Sequence, residues 1–488
     1  MTSVSDPNTG IFIFRRDLRI FDNIGLHEMT KICKRIIPIF IFTPEQVTEK
    51  NKFRSKNAIQ FMIESLDDLA GNLSIHKSGL YCFMGENVDV IQSVLKHVGA
   101  RHIGFNRDYT PYAFKRDREI ADLCAKLDVQ CHQFDDYYLF PPGTLTKDGF
   151  QEIETFAKGE RGAEGTQTQG NEGVHFDDYY RKFTPFYEKA KKEFRHMRKS
   201  VVLNPKSLSK MDAVKGLTTV HLTDMYIRHA SMNPNVSCRG GRRYALDALA
   251  DARQSQRRYS ETRDRLIVPT SRMSAYIKFG CVSIGEVFES FKNISELVRQ
   301  LVWREFYAHT LFVFPEVLTQ YSWRENQGNT TKTDALFKAW KDGETGVPIV
   351  DACMRELNKT GYMHNRGRLI VASYLAKTLG VDWRMGERYF AQQLVDYDVA
   401  SNNGNWRWIA SAAELKVQDG SHEVMVHLDT QPPFRTFSPW LQAKKCDPDA
   451  EYIKKWVPEL RTVEPKEILR WKDVSDKYPL LKYAKLIN

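Results

Sequence analysis

Two hydropathy patterns divide this chain, and the change from one to the other constrains its fold more than any other feature. Up to about residue 140, short apolar runs alternate with amphipathic stretches. The runs are residues 11–14, 36–42 (interrupted by Pro38), 80–84, 103–105 and 129–134, and helical stretches between them include residues 57–70, 88–98 and 114–127. Short buried runs separated by helix-length segments imply a parallel sheet covered by helices. The first run leads into Arg15, Arg16, Asp17, Leu18 and Arg19 rather than a Gly-x-Gly-x-x-Gly turn. The layout is therefore Rossmann-like without the dinucleotide fingerprint. Beyond residue 220 strand signals nearly vanish, and residues 244–258, 283–292, 295–314, 347–358, 365–379 and 386–395 carry helical periodicity. Between the two regimes, residues 158–174 are rich in Gly and Gln and read as an exposed flexible insertion. The expected organisation is an α/β domain over residues 1–140, a linker over 141–220 and an all-α domain over 221–488.

A chain of 488 residues is long enough for two cores, and 42 % hydrophobic residues supply the material. The formal net charge of +10 suits a polyanionic partner, most simply nucleic acid. The eight cysteines are scattered with no C-x-x-C pair, which argues against structural zinc or an iron–sulfur cluster; no metal is expected. No apolar run is long enough for a bilayer, and the polar start resembles neither a signal nor a transit peptide. A soluble intracellular monomer, cytoplasmic or nuclear, is expected.

Chemistry concentrates in the helical half. Asn365, Arg368, Leu369 and Ala372 stand at i, i+3, i+4 and i+7 and share one helix face. An Arg in line with Leu and Ala calls for a buried partner, which Asp396 or Asp398 could supply; a surface ion pair is the other reading. Residues 402–408, Asn-Asn-Gly-Asn-Trp-Arg-Trp, read as a polar turn leading into two Trp around an Arg, with Trp383 upstream. Such Trp residues either fill a core or conduct an electron to a buried redox group.

Several segments, in order, resemble the photolyase/cryptochrome family. They are Phe14 to Arg19 with Asp22 and Asn23; Thr270, Ser271, Arg272, Met273, Ser274; Leu301 to Tyr307 with its Trp-Arg-Glu-Phe; residues 346–352; residues 363–368; residues 396–408; residues 434–439; and residues 456–460. The resemblance spans nearly the whole chain and is greatest to class I cyclobutane pyrimidine dimer photolyases. It implies FAD in the helical domain, with Tyr259, Thr270, Ser271, Met273 and Ser274 along its ribityl and phosphate path. Arg368 would lie over the flavin with Asp396 as partner, Asp398 at the ring edge, and Asn402 facing N5. Asn at that position accompanies repair, whereas signalling relatives carry Asp or Cys there. Trp406 and Trp383 match the inner members of an electron-conducting Trp triad. UV-damaged DNA is the implied partner. Trp303 would stack on a flipped dimer, Asn365 and Arg366 would meet the dimer and its backbone, Gln300 would stand between flavin and dimer, and Leu369 and Arg435 would border the DNA. The implied activity is light-driven dimer splitting; a cryptochrome-type photosensor, or a flavoprotein with little repair activity, is the alternative.

The chain also departs from that pattern. Gln300 replaces a Glu and Leu369 a Met common in bacterial relatives. Enzymes acting on the (6-4) product use two His where this chain has Asn365 and Leu369, with His364 one residue out of line. The outer triad Trp is replaced within residues 328–331, leaving Trp323 or Trp340 as substitutes. Residues 413–430 are longer than the family's loop and read as a surface insertion. Residues 106–112 resemble the loop beside an antenna cleft, which folate, deazaflavin, FMN or nothing would all fit.

Overall fold

The computed structural model describes residues 6–151, 176–211, 217–230, 232–320, 330–419 and 422–470. The Gly-rich insertion, Trp323 and residues 328–329 lie outside them. Five strands, β1 (Asp6–Phe14), β2 (Arg35–Phe42), β3 (Tyr81–Met84), β4 (Ala100–Asn106) and β5 (Gln130–Phe134), form one parallel sheet of order β3-β2-β1-β4-β5. They are joined through α1 (Ile24–Ile32), α2 (Lys56–Ile75), α3 (Asn87–Val98) and α4 (Pro111–Lys126). The five runs marked by hydropathy are these strands. Helix α1 was not marked, although Asn23 caps it by accepting from the Leu26 N–H.

The alternation of side chains along each strand separates two cores. Ile11, Ile13, Ile37, Ile39 and Ile41 pack with Ile91 and Val94 of α3 and Ile120 and Leu123 of α4. Phe12, Phe14, Phe40 and Phe42 face the other way, into a core that includes Phe61 and Leu66 of α2 and extends into the helical half.

That half contains α5 (Phe183–Glu193), α6 (Arg242–Ser255), α7 (Ser295–Val313), α8 (Thr330–Asp342), α9 (Pro348–Thr360), α10 (Asn365–Ser373), α11 (Trp383–Gln393) and α12 (Val399–Ala410), with shorter turns between. Helix α7 joins the sheet-side core through Val302 and Phe306. Helices α8 to α12 close a second core around Trp340, Trp383 and Trp406. Residues 402–405, expected as a turn, lie inside α12: Asp398 caps it by accepting from the Ser401 N–H at 3.0 Å, so the helix starts earlier. One antiparallel hairpin, β6 (Glu414–Asp419) with β7 (His422–His427), follows α12 in the segment read as a surface insertion. It buries Leu415, Val417 and Val426.

Candidate active site

Helices α10 and α12 face each other across a cavity. Asn365, Arg368 and Leu369 line one wall, and Asp396, Asp398, Asn402 and Trp406 the other. The face deduced from helical spacing is thus the face turned to the site. Arg368 donates from Nη2 to Asp396 Oδ2 at 2.8 Å and from Nε to the Met363 carbonyl at 2.9 Å. Burial disfavours the Arg368 charge, but Asp396 overrides it and the guanidinium is raised above its ordinary range. Ser274 Oγ donates to the same Asp396 Oδ2 at 2.6 Å. Asp396 Oδ1 is buried and has no hydrogen-bond partner among the described residues.

Asp398 is held differently. Its Oδ2 accepts from Arg16 Nη2 at 2.9 Å, and Arg16 also grips Asp108 at 2.9 and 3.1 Å. Burial works against the Asp398 charge, yet Arg16, then Lys278 and Arg304, hold the carboxyl well below the usual range. Burial pulls Lys278 down to about 8. Asn402 donates from Nδ2 to the Glu387 carbonyl at 3.1 Å, and Asn403 donates to Glu387 Oε1 at 2.9 Å. One buried-side residue of α11 therefore orients both amides.

The segment before the short helix Ser274–Lys278 reaches the same centre. Thr270 Oγ1 lies 3.1 Å from Tyr362 Oη, and the Arg368 guanidinium sits 5.4 Å from that ring. Arg272 adopts φ +51°, turning the chain between the half-buried Ser271 and the buried Met273; Tyr259 is buried nearby. Trp303, Gln300, Arg366 and Arg435 do not line the cavity wall. Trp303 stacks on Phe183 with ring centroids 3.5 Å apart and planes within 6°. The amides of Gln300 and Asn365 have no side-chain bond among the described residues. Arg366 pairs with Asp264, which also meets Lys445 at 3.3 Å. Arg435 is exposed beside Phe434, which is 88 % accessible. His364 is buried at the start of α10, where its Nδ1 accepts from the Arg366 N–H at 3.0 Å, and burial lowers it to about 4.

Trp383, Trp406 and Trp340 are buried together in the second core. A Cβ at Gly386 would stand 2.3 Å from the Trp406 ring, so the glycine lets α11 close onto it. Among the two proposed substitutes for the outer Trp, Trp340 is within ring contact of Trp406, at 6.3 Å and 70°; Trp323 lies outside the described residues.

A group with an N–H donor and an apolar body fits this cavity. It would meet a cation in Arg368, an unsatisfied acceptor in Asp396 Oδ1, an oriented amide in Asn402 and apolar walls in Leu369 and Ala372. Among the described residues no cluster of three or more His, Cys, Asp or Glu could hold a metal, and no helix is long and apolar enough to cross a membrane. The DNA photolyase family model matches residues 11–172, and the model of the FAD binding domain of DNA photolyase matches residues 297–483. A deoxyribodipyrimidine photo-lyase of Halobacterium salinarum is 31 % identical over 95 % of this chain and 92 % of its own length. The chain belongs to the DNA photolyase family. An archaeal photolyase of Sulfolobus tokodaii, solved with two FAD molecules, superposes with TM-score 0.77 at 33 % identity over 98 % of both chains. A Synechocystis cryptochrome gives TM-score 0.77 at 25 % identity, covering 96 % of this chain and 92 % of that one.

A second, larger opening of about 960 Å³ lies where the strand order reverses at β1. Arg16, Asp108, Tyr112, Lys278, Arg388 and Tyr397 border it. The carboxyl ends of such strands are where doubly wound sheets take ligands. Tyr397 borders both openings. In this photolyase-family chain, three side chains with clear structural roles were given none by sequence reading. Arg16 stood in a quoted motif, but its partner Asp398 is 382 residues away. Glu387 and Phe183 carried no signal.

Proposed function

We propose that this chain binds FAD between α10 and α12 and uses blue light to split cyclobutane pyrimidine dimers in DNA. The observation that carries this reading is Asp396. One of its oxygens is taken by Arg368 and Ser274, and the other is buried, unpartnered and set in the cavity wall. A buried acceptor left without a donor costs about 1–3 kcal/mol, so the site is built for a ligand N–H. Bound there, FAD supplies light-driven one-electron chemistry. Arg368 favours negative charge on the ring system, Asp396 Oδ1 accepts its N–H, and Asn402 presents a neutral amide that orients without donating a strong acid proton.

The dimer leaves the duplex to reach the site, at a cost of a few kcal/mol that damage reduces. Trp303 stacks on it, Gln300 and Asn365 offer free amide N–H groups to its carbonyls, and Arg366 and Arg435 meet the flanking phosphates. Reversal of a (6-4) product needs a positioned acid. His364 accepts the Arg366 N–H through Nδ1 at the start of α10, lies outside the cavity lining and is neutral at physiological pH, which favours the cyclobutane lesion. The cleft at β1 would hold an antenna chromophore (folate, deazaflavin or a flavin nucleotide); the Sulfolobus relative's two FAD molecules lend weight to the last. The deciding experiment illuminates the reduced protein with two oligonucleotides, one per lesion, and follows restoration by chromatography against dark controls. Light-dependent loss of the cyclobutane dimer alone is expected. Restoration of only the (6-4) substrate, or of neither, would refute the reading.

A further inference from the structure

Residues 432–436 are all exposed, between a buried Gln431 and a buried Phe437. The run is nonetheless tied at both ends. Gln431 donates from its N–H to the Trp408 carbonyl at 3.2 Å and from Nε2 to the Ile409 carbonyl at 2.6 Å. The Phe437 N–H donates to Ser373 Oγ at 3.0 Å. Between these ends Pro432 to Arg435 close a turn, the Arg435 N–H donating to the Pro432 carbonyl at 3.0 Å.

Lys377 holds that turn in the middle. It stands on a π-helical turn, Tyr374–Thr378, that continues α10; such turns are frequent at functional sites. Its Nζ donates to the Arg435 carbonyl at 2.8 Å, to the Pro432 carbonyl at 3.4 Å and to Ser411 Oγ at 3.0 Å. All three ammonium N–H groups are thereby used. Ser411, at φ +61°, ends α12. One side chain therefore joins the continuation of α10, the end of α12 and the exposed turn. Burial, then the neighbouring Arg435, lowers the ammonium to about 8, and what it gains in return is a hydroxyl and two main-chain carbonyls. The turn presents Phe434, 88 % accessible, and the exposed Arg435. The Phe437 ring lies 5.9 Å from the Arg435 guanidinium and 6.0 Å from that of Arg366, which follows Asn365 of the cavity wall. An aromatic ring held out in solvent beside a cation suits an unstacked base and its phosphate.

We propose that Lys377 is a positioning residue for the damaged strand: it fixes the Pro432–Arg435 turn, so that Phe434 and Arg435 meet DNA already ordered. The proposal rests on the repair reading above. Ordering a loose loop on binding costs affinity, and a turn held in advance avoids that cost. Lys377 acts through the turn, so its effect falls on binding and not on the light-driven step.

The test is a mutant cycle on the full chain loaded with reduced FAD. Binding of a dimer-containing duplex carrying a red fluorophore is followed by anisotropy in the dark, and repair at saturating duplex by chromatography. Lys377→Met keeps the length of the side chain and removes the donors. It should raise Kd about tenfold, the scale of one lost stacking contact, and leave flavin content and the saturated repair rate as in the parent. In a Phe434→Ala, Arg435→Ala background the same substitution should change Kd by less than about twofold, because the groups it positions are gone. Lys377→Gln keeps an amide N–H for part of the acceptor set. It should fall between the parent and Lys377→Met, and it serves where the latter does not fold. An unchanged Kd in the Lys377 variants, a full loss that persists in the doubly substituted background, or a saturated repair rate that falls as far as the affinity would overturn the positioning role and leave the repair reading intact. A parent that binds the dimer duplex no tighter than undamaged duplex would overturn both.

Discussion

At the scale of single residues, Asp396 decides most. Asp396→Asn weakens the Arg368 pair and leaves a buried cation short of its counter-charge, which costs about 3 kcal/mol when a buried pair is broken. The expected result is a lower melting temperature and a flavin-to-protein absorbance ratio well below that of the parent. Full flavin content with an unchanged melt would mean that Asp396 holds neither Arg368 nor the cofactor. His364 makes a different prediction. Its folded value, lowered by burial to about 4, lies below the ordinary value of 6.5. Between those values the unfolded chain binds the proton and the folded one does not, so stability is present above pH 6.5 and is lost as pH falls toward 4. From pH 7 to pH 5 this amounts to about 2 kcal/mol. His364→Asn keeps a side-chain acceptor for the Arg366 N–H and removes the titration. Denaturant melts at both pH values should show the variant losing less stability on acidification than the parent; equal losses would contradict the assignment.

At the scale of elements, α12 positions Asn402 and Trp406 because it can lie close against α7. A Cβ at Gly404 would stand 2.1 Å from Tyr307 Cδ1, and Tyr307 is itself buried, with its hydroxyl 3.3 Å from Asn405 Oδ1. Gly404→Ala gains about 1 kcal/mol of helix propensity. Overpacking against an immobile ring costs about 1–3 kcal/mol and displaces the helix. The net expectation is a lower urea midpoint, read from unfolding curves; a higher midpoint would mean that Tyr307 moves aside freely. The same element shows where sequence reading stops. Gly and repeated Asn are local turn signals, and they were read as a turn. The helix is set instead by the Asp398 cap and by packing on α7, and the second of these is a tertiary contact.

At the scale of the whole molecule, Arg16 is one of several residues that link the two halves. Arg16, just beyond β1, pairs with Asp108 of its own half and with Asp398 at the start of α12. The position of the sheet and the position of the Asn402 helix are thereby tied. The net charge of +10 suits a polyanionic partner. Affinity for a dimer-containing duplex should fall with salt by a slope of roughly −0.9 per phosphate contact in a plot of log K against log salt. Titration by fluorescence anisotropy across salt concentrations measures it, and a flat plot would show that the basic excess serves something other than DNA.

Sequence alone determined the parallel sheet, the helical half and the face of α10 that carries Asn365, Arg368 and Leu369, because periodicity is a local property that repeats within a few residues. It also called for a buried counter-charge for Arg368, which Asp396 or Asp398 could supply, since an arginine on an apolar face demands one; the family resemblance singled out Asp396. Only the tertiary structure decided which carboxylate met which cation. Asp396 took Arg368, and Asp398 took Arg16 from the far end of the chain. It also decided that Phe183 backs Trp303, that Glu387 orients Asn402, and that Trp340 packs against Trp406. The physical reason is common to all of them. Each depends on a distance between groups remote in sequence, and such distances are set by how whole helices pack rather than by the residues beside them.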